Sequence, residues 1–126
     1  MTFQNTLDLH LRSIRERDLA GLESTVAREG IVVITSDGRL VSSTREFLQM
    51  HRDWFGSKTW SLDMEQVSLL ESPELAIAVL KLRYTDRPAG RPPIDEQSYL
   101  TLVFAQKNGS WEMILDQNTP CRYSRS

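Results

Sequence analysis

The chain has 126 residues, 40% of them hydrophobic and 25% charged, and carries a formal net charge of −2. That length suits one domain around one hydrophobic core, here the whole of residues 1–126, and the balance excludes a disordered or fibrous chain. Lys and Arg are scattered rather than clustered, which leaves no basic stripe for a phosphate backbone and makes nucleic acid an unexpected partner.

Residues 3–17 set Phe3, Leu7, Leu11 and Ile14 at helical spacing, with Asp8, Arg12 and Glu16 stacked on the other side, and predict an amphipathic helix. His10 falls in the middle of its apolar stripe. Asp18 is placed to cap a second, shorter helix bearing Leu19, Leu22 and Val26, and Gly30 supplies a residue suited to the left-handed end of one. The β-branched run 31–35, the Asp37-Gly38 pair and residues 40–42 predict a short hairpin. Ser43 and Glu46 have the spacing of a capping box, so a third helix begins there, with Phe47, Leu48, His51, Trp54 and Phe55 on one face and Gly56 beyond its end.

After Gly56 the period changes to two, and strands are predicted over 59–70, 75–85, 97–106 and 111–118. Ser72-Pro73 and Asn108-Gly109 mark tight turns between the first two and the last two, so these neighbours should pair antiparallel. Trp60, Leu62 and Met64 alternate on one face while Val67 and Leu69 fall out of phase, a slip that a β-bulge near Glu65 or Gln66 would produce. A bulge bends a sheet, and a bent sheet can wrap a cavity.

Cys121 is the only cysteine, which rules out an internal disulfide and suits a reducing compartment. The N-terminal residues lack a signal-peptide pattern and no stretch reaches the length of a membrane span, so a cytoplasmic protein without membrane contact is expected.

The order helix, helix, hairpin, helix and four strands resembles the nuclear transport factor 2-like superfamily, and within it the SnoaL-like and steroid delta-isomerase-like branch. Gly109 and Trp111 entering a last strand that ends in Asp116 to Thr119, and His51, Trp54 and Phe55 followed by Trp60, carry the likeness. The resemblance implies an α+β cone, with three helices packed on a strongly curved antiparallel sheet, a pocket inside it, and often a homodimer through the outer sheet face. It implies no single activity, because the superfamily holds isomerases, cyclases, epoxide hydrolases, dehydratases and association domains.

A pocket of this kind without a cofactor works by general acid–base catalysis, with a donor aimed at the developing oxyanion. Asp116 shares one face of the last strand with Ile114 and Asn118, and Trp111, Met113, Leu115 and Gln117 share the other; alternation alone leaves open which face is inside. Inward, Asp116 would be desolvated and its pKa raised; outward, it would be an ordinary solvated carboxylate. His51, on an apolar stripe, is the other catalytic candidate, and its plainer role is a core histidine with one satisfied hydrogen bond. Trp54, Phe55, Trp60, Tyr84, Tyr99, Asn118 and His10 are the candidate ligand-binding residues, with Tyr84 and Tyr99 able to donate to an oxyanion. No spacing of histidines and carboxylates forms a metal site, and no phosphate loop or nucleophile elbow is present, so neither metal nor cofactor is expected. Two functions remain open: an isomerase, cyclase or dehydratase acting on a small apolar substrate, or a ligand-binding or dimerising domain without chemistry.

Overall fold

The computed structural model describes residues 1–121. The elements follow in the order α1 (Phe3–Arg15), α2 (Leu19–Glu23), β1 (Val32–Ile34), β2 (Leu40–Val41), α3 (Thr44–Phe55), β3 (Trp60–Glu71), β4 (Leu75–Asp86), β5 (Ile94–Lys107) and β6 (Ser110–Pro120). The chain is α+β, with three helices on a six-stranded sheet ordered β2-β1-β6-β5-β4-β3. Neighbouring strands are antiparallel except β1 and β6, which run parallel.

Each helix starts on a side-chain cap. Thr2, Asp18 and Ser43 accept from the backbone N–H of Asn5, Gly21 and Glu46 at 3.0, 3.0 and 3.2 Å, satisfying amides that the first turn leaves unpaired. The second helix stops at Glu23, well short of Gly30. Beyond it, the Met113 N–H donates to the Thr25 carbonyl at 2.8 Å and the Ala27 N–H donates to the Met113 carbonyl at 3.1 Å, so a β-branched stretch exchanges helix for a parallel bridge to β6. Asn108 and Gly109, with φ of 51° and 80°, form the turn between β5 and β6; two successive positive φ values are what a two-residue hairpin requires. β5 starts at Ile94 rather than 97, because pairing with β4 carries the polar residues Asp95 and Glu96 into the ladder.

Two bulges set which side chains face inward. In β3, Gln66 pairs with Leu80 and Ser68 with Val79, so Val67 is the extra residue, one position beyond the expected Glu65 or Gln66. In β6, Met113 pairs with Phe104 and Leu115 with Val103, so Ile114 is extra. Trp111 and Met113 are buried; past Ile114 the inward phase passes to Asp116 and Asn118, while Gln117 and Thr119 are exposed. A bulge re-aims the residues beyond it, and this one turns Asp116 toward the helices.

The helices cover the inner face. Phe3 meets Phe104 and Trp111 with ring centroids 5.5 Å away in both cases, and Leu7, Leu22, Phe47, Leu102 and Met113 are fully buried around them; each such side chain contributes about 1.5–3 kcal/mol by leaving water. On the outer face, the register aligns Leu70, Ile77, Val103, Leu115 and Val32 in one apolar row across five strands. Among the described residues, no helix is long and apolar enough to cross a membrane.

Candidate functional site

Between α1, α3 and the bent sheet lies an inner chamber of about 190 Å³. Ile14, Val33, Met50, Leu62, Met64, Leu82 and Leu100 form apolar walls, and Thr35, Ser36, His51, Asp116 and Asn118 are the polar residues lining it. An outer chamber of about 210 Å³ shares Ser36, Trp54, Leu62, Leu82 and Asn118 with the inner one, and adds Tyr84, Glu96, Gln97, Ser98 and Pro120. The two are contiguous, the inner one walled mainly by aliphatic side chains and the outer one rimmed by polar ones.

Asp116 stands at the inner end. It pairs with Leu102 across β5 and Val33 across β1, both buried, and among the described residues its carboxyl has no hydrogen-bond partner. Burial among these neighbours pushes its pKa up to about 7, because a carboxylate there loses water without gaining a donor. Asn118, two residues on, has its Oδ1 buried without a partner.

His51 enters from α3. Its ring lies against Phe47, with centroids 4.2 Å apart, and at wider angles to Trp54 and Phe55. Its Nδ1 is 2.9 Å from the Phe47 carbonyl; a carbonyl only accepts, so Nδ1 carries the proton and the neutral ring presents a bare Nε2. Burial lowers the His51 pKa, opposed by the bond to Phe47, which favours the neutral form. No hydrogen bond joins His51 to Asp116, so the two face the chamber separately.

His10 lies in the core rather than on a chamber wall. It is fully buried, packs edge-on to Phe104, and its Nδ1 is 2.7 Å from Thr25 Oγ1. Thr25 donates its own proton to the Leu22 carbonyl at 2.8 Å, so it must accept from His10 Nδ1–H, which leaves Nε2 unprotonated and unpartnered. Burial, helped by the nearby His51, depresses the pKa to about 3.

The other aromatic candidates divide. Trp54 lines both chambers and Tyr84 the outer one. Phe55 and Trp60 are buried core residues outside both linings: Trp60 stacks on Trp54 at 4.1 Å and 17°, donates to the Trp54 carbonyl at 2.9 Å, and carries Arg17 over its ring at 3.8 Å. Tyr99 falls on the outer sheet face with 42% of its surface exposed, because odd-numbered positions of β5 point away from the helices. Neither tyrosine is free to face an oxyanion, since Tyr84 OH already donates to Asp86 at 3.2 Å. Among the described residues, no three His, Cys, Asp or Glu side chains gather to hold a metal ion.

The sequence reading missed Met50 and Glu96. Met50 sits four residues before Trp54, a helical spacing that points it to the same wall. Glu96 needs the β4–β5 register, which sets it directly opposite Tyr84.

A sequence profile of the SnoaL-like domain matches residues 4–117. The chain belongs to the SnoaL-like family. Solved structures place this SnoaL-like chain in the nuclear transport factor 2-like fold. A protein from Streptomyces avermitilis described as a candidate dehydratase of that superfamily superposes with TM-score 0.79 at 12% identity, covering 95% of this chain and 94% of that one. One from Thiobacillus denitrificans described as a candidate calcium/calmodulin-dependent protein kinase type II association domain gives 0.78 at 16%, covering 96% of each. A candidate ketosteroid isomerase from Shewanella frigidimarina gives 0.72 at 16%, covering 91% and 92%. These superpositions establish the shared fold. No curated protein matches the SnoaL-like sequence.

Proposed function

We propose that this SnoaL-like protein holds a small apolar molecule in the inner chamber and moves a proton on it by cofactor-independent acid–base chemistry. The observation that carries this reading is Asp116, a carboxyl without a hydrogen-bond partner among the described residues, facing a largely apolar chamber with its pKa at about 7. Near neutrality both of its forms are populated, so one group can take a proton from an activated C–H and return it to a neighbouring position. The Asn118 amide is the donor for the oxyanion that forms meanwhile. His51, neutral with a bare Nε2, accepts from a substrate hydroxyl and fixes its orientation. Isomerisation follows when the proton returns at a new carbon; dehydration follows when the carbanion expels a hydroxyl group that the acid form protonates. Neighbours described as an isomerase and a dehydratase support that class.

Nitrobenzisoxazole, whose ring opens when a base removes its C–H proton, tests the base without knowledge of the natural substrate. Ring opening should accelerate as Asp116 ionises near pH 7 and disappear in Asp116→Asn. A rate no faster than buffer, or one unchanged by the substitution, refutes the reading.

A second reading is favoured by the outer apolar row, in which Leu70 is 64% exposed, and by the neighbour described as an association domain. We infer that a second copy of the chain covers that row, with or without chemistry inside. The single cysteine supports a reducing, cytoplasmic setting.

A further inference from the structure

We propose that the outer chamber receives an organic ammonium group, so that the molecule bound is an amine with its apolar body in the inner chamber and its cationic head between Trp54, Tyr84 and Glu96. This deepens the pocket reading above and rests on it.

Trp54 and Tyr84 form an open corner, their centroids 6.1 Å apart and their planes at 52°. One face of Trp54 is spent on the stack with Trp60, which leaves the other for the chamber. Faces of electron-rich rings attract a cation, and indole attracts it best. Tyr84 is enriched further because its hydroxyl donates to the Asp86 carboxylate, itself held by Thr59 Oγ1 at 2.6 Å. Glu96 stands directly across the ladder from Tyr84 and lines the same chamber. The Tyr84 pKa is raised, by burial foremost and against an opposing contribution from Trp54, with Asp86 and, least, Glu96 adding to it.

Among the described residues, no lysine or arginine lines either chamber. Arg17 lies over the face of Trp60 turned from Trp54, with its guanidinium donating to the Ser57 and Trp60 carbonyls. Arg83 is paired with Asp95 at 2.9 Å in solvent. An anionic head would therefore meet Glu96, and above neutrality Asp116, with no cation among the described residues to answer it. A neutral head would leave the Glu96 carboxylate and two aromatic faces without the charge they favour.

Three probes of one shape, phenylpropylamine, phenylpropanol and phenylpropanoate, separate these cases by titration calorimetry at about pH 8. The amine should bind about tenfold tighter than the alcohol, and the carboxylate more weakly than both. Glu96→Gln should remove most of the amine's advantage and leave the alcohol's affinity unchanged. Equal binding of amine and alcohol, or an amine affinity untouched by Glu96→Gln, overturns the ammonium site while leaving the pocket intact. Binding of none of the three overturns the ammonium site and the pocket reading together.

Discussion

Asp116→Asn should stabilise the protein, and only in one range of pH. In the folded chain the carboxyl holds its proton up to about pH 7, whereas in the unfolded chain it ionises near 3.8. Between those values the native state binds more protons than the unfolded one, so stability falls as pH rises, and the full penalty stands above pH 7. At roughly 1.4 kcal/mol per pH unit the penalty is about 4 kcal/mol; water reaching the chamber screens part of it and leaves about 2–4 kcal/mol. Asparagine is isosteric and neutral throughout. It should match the wild type near pH 4 and gain that 2–4 kcal/mol by about pH 8, a rise in Tm on the order of 10 °C. The histidines titrate with the opposite sign, so the difference between variant and wild type, taken from urea unfolding at a series of pH values, isolates Asp116. A difference that stays flat with pH, or an Asn variant less stable at pH 8, refutes the placement of this carboxyl in an apolar chamber.

His10 governs the acid side. Its folded pKa of about 3 lies below the usual 6.5, so its contribution is complete above 6.5 and is lost as pH falls toward 3; His10→Asn, which keeps a donor for Thr25, should flatten the acid limb of the unfolding curve. Arg17 combines a positive φ of 57° with bonds to the Ser57 and Trp60 carbonyls at 3.1 and 2.7 Å. Arg17→Ala should cost about 2–3 kcal/mol in denaturant unfolding, and Arg17→Gly about 1 kcal/mol less, because glycine accepts that backbone freely; equal losses would place no strain at this residue. Val32→Lys with Leu70→Lys introduces charge into the outer row at exposed positions. Sedimentation should shift from two copies to one with little change in melting temperature, and a wild type already monomeric at micromolar concentration removes the dimer.

The helices and strands were legible because caps and periodicity are local. Ser43 bonds the Glu46 amide, and Asn108-Gly109 makes the turn its residues demand. The bulge in β3 was legible for the same reason: Val67 and Leu69 break an alternation visible in six or seven residues. The bulge in β6 was not, because Ile114 and Leu115 are both apolar and mask the slip. That is why the facing of Asp116 stayed open in the sequence and is fixed only by the pairing of Leu115 with Val103. Tyr99 and Trp60 show the other limit. Aromatic type alone does not tell a wall from a core or an outer face, and strand register and the stack on Trp54 decide it.

Ile114 also determines where the last strand tolerates a change of length. Its presence joins two reading frames, one in which Trp111 and Met113 face the core and one in which Asp116 and Asn118 face the chamber. Removing Ile114 itself would restore plain alternation with all four still directed inward, at the expense of the local bend. Removing Glu112 would instead turn Trp111 outward, and removing Gln117 would turn Asn118 outward, since a one-residue slip exchanges the faces of a strand. Natural insertions and deletions in this strand are therefore expected to gather at the splice, where the core is indifferent to them and only the curvature of the chamber changes.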